Sequence, residues 1–286
     1  MADIVVGVDG SANAAAALRW AFEEAGLRGD HVVALFAWGF VPPGHAGDGH
    51  TFDVDYGAAQ AQFALQAAVV GAVGPEAARA VEARSVCGPA VEELRIAAKG
   101  ADLLVVGTRG IGGVHGVLIG SVCHQLLHQA PVPLAVVPAP ARPSTGAGTP
   151  TRIVAGVDGS PGGRRALAWA ADEARRRDVP LDVVRAWHAS YPALGPAEGY
   201  LVECDAAEEV ARHGVEQAVA GLDRSRVTAR AVEGRAGPAL LATAADAGAD
   251  LIVLGTRGHG TVAAALVGSV TRYVAHHATV PLVVVP

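Results

Sequence analysis

The chain has 286 residues, 51% of them hydrophobic and 17% charged, with a formal net charge of −6. That is enough apolar material for one large domain or two of ordinary size, and it excludes disorder as a description of the whole. No stretch reaches the ~18 uninterrupted apolar residues of a membrane-spanning helix, and no basic tract or aromatic–basic stripe marks a nucleic-acid surface.

The first apolar run begins without a basic leader or a cleavage site, so no signal peptide is expected. Cys87, Cys123 and Cys204 are scattered and odd in number, which fits a reducing cytoplasm better than a disulfide framework. Lys99 is the only lysine. A Walker loop and a kinase strand lysine are therefore both excluded, and any bound phosphate must be held mainly by backbone amides.

In chain order, Ile4–Val8 reads as a short β-branched strand closed by Asp-Gly. Asn13–Ala25 has helical spacing, with Leu18, Phe22 and Ala25 on one face and Ser11 as its cap. His31–Trp38 is a second strand, followed by a Gly/Pro/His-rich loop from Gly39 to about Tyr56. Ala58–Val73 reads as a helix, Ala80–Val86 as a strand, Pro89–Lys99 as a helix and Leu103–Gly107 as a buried strand. A glycine-rich stretch over 110–120 leads into a helix from about Ser121, and Leu134–Val137 is the last strand of the series. Strands alternating with helices, the strands near-continuously apolar, predict an α/β fold with a parallel sheet covered on both faces.

The series then repeats. Gly-Val-Asp-Gly-Ser occurs at 7–11 and 156–160, Trp20 and Trp38 recur as Trp169 and Trp187, and Gly-Thr-Arg-Gly occurs at 107–110 and 255–258. Gly-Ser-Val at 120–122 recurs at 268–270, and Pro133 as Pro281. The chain is a duplicated domain. Pro, Gly, Ser and Thr crowd residues 139–151 without periodicity and read as a linker, so domains are expected over 1–138 and 152–286.

Ligands of such sheets sit beyond the carboxyl ends of the strands, where strand order reverses. Asp9 and Asp158 end the first strand of each half. Gly107-x-x-Gly110, nine residues, Gly120-Ser121 follows the fourth strand, as does Gly255-x-x-Gly258, nine residues, Gly268-Ser269. Glycines let backbone approach a ligand closely, and the unpaired amides of a helix start attract phosphate oxygens. The hydroxyls of Ser121 and Ser269 can cap the helix or donate to phosphate. Asp9 and Asp158 suit a ribose hydroxyl or a Mg²⁺ bridging phosphates. The same glycines also serve tight turns with no ligand at all. A dinucleotide fingerprint fails, because His115 stands where its third glycine belongs.

Gly-Val-Asp-Gly-Ser opening each half, Gly-x-x-Gly-x₉-Gly-Ser-Val, and the endings Pro-Val-Pro-Leu-Ala-Val-Val-Pro and Val-Pro-Leu-Val-Val-Val-Pro resemble the universal stress protein family in its tandem, ATP-binding form. The resemblance implies two Rossmann-like domains, each a five-stranded parallel sheet of order 3-2-1-4-5. It implies that Asp9 contacts ribose or the metal, that the Gly7 region flanks the base, and that the Ala37 backbone reads adenine. Gly107, Gly110, Gly120, Ser121 and Val122 would hold ribose and phosphates. The same roles fall on Gly156, Asp158, Ala186, Gly255, Gly258, Gly268, Ser269 and Val270. ATP and Mg²⁺ are the implied cofactors. By the family topology the final strands Leu134–Val137 and Leu282–Val285 lie at sheet edges; they are expected to pair across the halves within one chain, and a homodimer is a second arrangement the resemblance allows. Gly-Arg-Ala-Gly-Pro at 234–238 is longer than Cys-Gly-Pro at 87–89, so the two sites need not bind equally.

Other chemistry is thin. His124 and His128, four apart, lack an evident third metal ligand. His115 and His259 lie in the glycine loops, and Arg109 and Arg257 either pair with phosphate or point outward. Cys87 and Cys123 read as buried, inert thiols, and the tryptophans as packing, with Trp38 and Trp187 able to border the base. No nucleophile elbow and no dedicated general base can be assigned. The resulting expectation is a cytoplasmic, nucleotide-dependent stress-response regulator with two ATP sites. A slow ATPase or adenine-nucleotide hydrolase, and an interaction scaffold with vestigial sites, are the alternatives.

Overall fold

Short β-branched runs bounded by Asp-Gly and Gly-Thr become the strands of two separate units, Met1–Pro140 and Ala141–Pro286. The computed structural model describes residues 2–39, 57–110, 119–139, 152–187, 196–218, 223–258 and 267–286. In the first unit the described strands are β1 (Asp3–Gly7), β2 (His31–Trp38), β3 (Val81–Cys87), β4 (Leu103–Gly107) and β5 (Leu134–Val137). All pair in parallel, in the order β3-β2-β1-β4-β5. Leu103 to Val106 and Leu134 to Val137 are buried throughout, as expected of strands covered on both faces. Cover comes from α1 (Ala12–Arg28) and α2 (Ala58–Val73), which pack together, and from α3 (Ala90–Ala97) and α4 (Ser121–Gln129), which form the other layer.

The second unit repeats this plan. Its strands are β6 (Ile153–Gly156), β7 (Leu181–Trp187), β8 (Val227–Glu233), β9 (Leu251–Gly255) and β10 (Leu282–Val285). They are parallel, in the order β8-β7-β6-β9-β10. Its helices are α5 (Pro161–Arg177), α6 (Pro196–Ala218), α7 (Ala236–Asp246) and α8 (Ser269–His277). In both units strand order reverses at the first and fourth strands, which is where such sheets open a crevice. No described helix is long and apolar enough to cross a membrane.

The local rules that start and stop these elements are visible in α1. Ser11 caps it, accepting from the Ala14 amide at 3.1 Å, and Gly29 ends it in the left-handed region at φ 70°. The helix runs three residues past the expected Ala25 because Glu24 and Arg28, 1% and 6% exposed, pair with each other along its last turn. Glu173 and Arg177 repeat that buried pair in α5. A buried charge is tolerated because its partner is buried with it.

The halves part company between the third and fourth strands. The Gly88 amide donates to Trp38 O at 2.8 Å, and the Gly234 amide to Trp187 O at 2.7 Å. Gly234, not Gly237, therefore holds the place of Gly88. The extra residues of the second half do not lengthen the turn before the helix. They lengthen the helix, which has eleven residues in α7 against eight in α3. The expected linker and the loop before α2 fall almost wholly outside the described residues.

Candidate functional site

In the first unit a cleft of about 260 Å³ opens at the carboxyl ends of β1 and β4. Gly7, Asp9, Ala37, Gly107, Gly110, Gly120, Ser121 and Val122, the eight residues singled out from the sequence, all line it. One end is apolar, with Leu35, Ala37 and Leu94; the other carries backbone amides, Asp9, Thr108 and Arg109. Leu35 and Ala37 share a face because side chains alternate along a strand. For the same reason Trp38 turns away and does not line the cleft, contrary to the reading that it borders a base.

The two motifs that line the cleft also brace each other. The Asp9 carboxylate accepts from the Ser11 amide at 2.9 Å, and the Ser11 hydroxyl donates to Arg109 O at 3.3 Å. The Thr108 hydroxyl donates to Asn13 Oδ1 at 3.1 Å. A Cβ on Gly110 would collide with the Asp9 carboxylate, so that glycine makes room for the aspartate. A Cβ on Gly107 would lie 2.7 Å from the Asn13 carbonyl carbon, so Gly107 is glycine because α1 abuts β4. Among the described glycines of these motifs in the first half, positive φ occurs at Gly10 (83°) in the Asp-Gly-Ser turn. Sequence reasoning missed Asn13 and Thr108 in this brace; Thr108 stands inside Gly-Thr-Arg-Gly and Asn13 two residues past Gly-Val-Asp-Gly-Ser, so their short polar side chains were the available signal.

Gly120 caps α4 with extended backbone (φ −74°, ψ 161°), and its amide is already spent on Thr108 O at 2.7 Å. The first intrahelical donor is His124, bonding Gly120 O at 2.9 Å. The Ser121, Val122 and Cys123 amides come before it, at the positive end of the helix. Ser121 does not cap the helix, as one reading had it: it is the first helical residue, exposed beside the cleft. Cys123 is buried at the cleft wall, and burial pushes its thiol up to about 12. These donors, with no lysine near them, fit an anionic group held by backbone.

The second unit holds the equivalent residues in the same local frame. The Ser160 amide donates to Asp158 Oδ1 at 2.9 Å, and a Cβ on Gly258 would collide with the Asp158 carboxylate. Gly255 lies against the Gly162 backbone, where a Cβ would come within 2.7 Å. Gly268 spends its amide on Thr256 O at 2.8 Å and caps α8, which begins at Ser269 and Val270. Gly156 is closed over by Leu254 and Leu240, and Ala186 lies in β7 as Ala37 does in β2. Thr271 replaces Cys123 and donates to Gly255 O at 2.8 Å.

The profile of the Universal stress protein family matches residues 1–138 and again 150–286. The chain belongs to that family. A universal stress protein of Mycolicibacterium smegmatis is 32% identical, with 99% of this chain and 96% of that one covered. One from Mycobacterium tuberculosis is 33% identical over 98% of this chain and 94% of its own. The crystal structure of a universal stress protein from Archaeoglobus fulgidus, 22% identical, matches with a TM-score of 0.67 over 99% of this chain and 96% of that one. The tandem universal stress protein fold is thereby established.

The remaining candidates of this universal stress protein are scattered, and of those described only Arg109 lines the cleft. The His124 and His128 rings are 5.1 Å apart on the outer side of α4, and no group of three metal-ligating side chains occurs among the described residues. Arg109 and Arg257 are exposed, Arg109 at the cleft rim. Cys87 is exposed rather than buried. His115 and His259 lie outside the described residues.

Proposed function

We propose that this universal stress protein binds ATP in each half and acts as a nucleotide-dependent stress-response regulator rather than as an enzyme of turnover. The observation that carries the reading is the convergence of the eight sequence-selected residues of the first half on one cleft. The base would lie at the apolar end against Leu35, Ala37 and Leu94, with the Ala37 backbone reading adenine. The phosphates would meet the Ser121 and Val122 amides and the Gly110 backbone. Asp9 would face the ribose or a phosphate-bound Mg²⁺, which takes most of its oxygen ligands from phosphate and water. Gly156, Asp158, Ala186, Gly255, Gly258, Ser269 and Val270 would do the same in the second half. Gly107, Gly120, Gly255 and Gly268 support the site through packing and close approach rather than by donating their own bonds.

Binding without turnover is supported by the chemistry of the wall. Asp9 is engaged by the Ser11 amide, and the Cys123 thiol is held protonated by burial, so neither is a poised base. The direct test is to purify the full chain and identify the nucleotide that co-purifies. Retained ATP with no phosphate release agrees with the proposal. Retained ADP with steady phosphate release would make the protein an ATPase, and an empty chain that takes up no ATP in calorimetry would make it a scaffold.

A further inference from the structure

The helices α2 and α6 hold the same place in their units, each packed on the second and third strands. They differ on the side turned away from the sheet. On α6 that side is charged: Glu208, Arg212 and Glu216 are exposed, and Arg212 pairs with Glu216 at 2.7 Å. The fold therefore accepts a charged outer face here. The sixteen residues of α2 carry no charge at all. The helix buries Ala61, Leu65, Val69 and Ala72 and leaves Phe63 78% and Val70 40% exposed. Phe63 is the most exposed large apolar side chain among the described residues. Single apolar residues are ordinary on a surface, but these two form one patch. They are seven apart, and exposed Ala67 lies between them, four residues from one and three from the other.

Gly71 is a second, independent observation. Glycine weakens a helix interior relative to alanine, yet Gly71 sits exposed within α2, and a Cβ there would meet nothing within 4 Å. No packing among the described residues calls for glycine at that position. It leaves a shallow seat beside Phe63 and Val70. We propose that α2 is the surface through which two copies of this chain associate, helix against helix, about a twofold axis at Ala67. An antiparallel pair about that axis sets Phe63 of each copy over Gly71 of the other and Val70 beside Ala64, so large meets small throughout and the patch is its own complement. Charge favours the same occupant. Each copy carries −6, and two like-charged molecules approach with least repulsion on a face that bears no charge. A lipid surface is a poorer match, because a helix lying in a membrane interface bears Lys or Arg along its polar side, and α2 has neither. The contact leaves the final strands β5 and β10 uninvolved, and it stands independently of the nucleotide reading. One helix pair about 24 Å long covers well under the ~800 Å² per partner of a stable complex, so the dimer should be weak, with a dissociation constant of roughly 10–100 μM.

The test is sedimentation equilibrium of the full chain over concentrations that bracket that constant, with thermal melts well below it. The parent should pass from monomer to dimer. Phe63→Glu should stay monomeric throughout and melt as the parent does, since its side chain is exposed. Gly71→Ala should raise the melting temperature of the monomer, because alanine favours the helix, and weaken association about tenfold, because its methyl fills the seat of Phe63. A purely structural role for Gly71 would not move these two readings in opposite directions. Dimers that survive both substitutions would use another surface and overturn the inference. A parent that stays monomeric overturns it as well. In that case a lower melting temperature for Phe63→Glu would show the face covered from within the chain, and flotation of the parent with phosphatidylcholine vesicles, lost in Phe63→Glu, would assign it to lipid.

Discussion

A glycine in a ligand loop can serve the ligand or the fold, and Gly120 and Gly107 of the first cleft divide between these roles. Gly120 has ordinary backbone angles, and a Cβ there would come no closer than 3.4 Å to any neighbouring atom. Gly120→Ala should therefore fold with stability changed by less than about 0.5 kcal/mol. If the Ser121 and Val122 amides hold phosphate, the added methyl stands at their entrance, and ATP affinity should fall roughly ten- to hundredfold. Gly107→Ala differs, because its methyl would press on the α1 backbone at 2.7 Å; a loss of about 1–3 kcal/mol of stability is expected from such overpacking. Thermal melts with ATP titrations on both variants check this pair, and an unaffected melt for Gly107→Ala would refute the packing account. The sequence pattern marked Gly107 and Gly120 alike, and both line the cleft. It could not separate their reasons, because the atoms that crowd Gly107 belong to Asn13, some 90 positions away in the chain. The thiols separate in the same manner. Exposed Cys87 should react with a disulfide reagent at pH 8 in the native protein. Cys123, its thiol pushed up to about 12 by burial, is thiolate in about one molecule in ten thousand at that pH and should react only on unfolding. Native labelling of Cys123 at the rate of Cys87 would show that the wall of the cleft opens.

At the scale of elements, what the sequence spelled locally was legible. Ser11 caps α1, β4 spans Leu103–Gly107, and β5 spans Leu134–Val137, all as the periodicity and turn residues indicate. The end of α1 was not legible, because the Glu24–Arg28 pair that extends it looks like solvent-facing charge until its burial is known. The residue-by-residue register of α3 against α7 was not legible for a related reason. Gly-Pro in one half invited alignment with Gly-Pro in the other, whereas the structure pins the register through the Trp38 and Trp187 carbonyls. The caps make a prediction at this scale. Ser160 is 4% exposed; it caps α5 through the Gly163 amide at 3.0 Å and reaches Arg257 O at 3.4 Å. Ser160→Ala removes a cap and strands those groups, so a cost near the upper end of the ~0.5–2 kcal/mol range for lost caps is expected. Ser11, half-buried, should cost nearer 1 kcal/mol. Hydrogen exchange at the Ala14 and Gly163 amides reads the two losses separately, and faster exchange in the Ser11 variant than in the Ser160 variant would reverse the ranking.

For the whole molecule, duplication sets the number of sites, and divergence sets how alike they are. Each half keeps the aspartate braced by the amide two residues on, at 2.9 Å in both. Each keeps the glycine that yields to that carboxylate, Gly110 or Gly258. Each spends the cap glycine's amide on the threonine carbonyl, so that the next helical amides face the cleft end of the sheet. A backbone device retained twice in the same geometry should work twice, and two ATP are expected per chain. The walls have diverged, with Cys123 in the first half against Thr271 in the second, so the two affinities should differ by roughly the tenfold that one hydrogen bond commands. Calorimetry of the full chain should give a biphasic ATP isotherm that Gly120→Ala alters in one phase and Gly268→Ala in the other. Gly268, whose nearest neighbours would lie 3.5 Å or more from an added Cβ, tolerates the change as Gly120 does. Saturation at one ATP, with Gly268→Ala silent, would mean that the second half keeps the fold of the site without its binding.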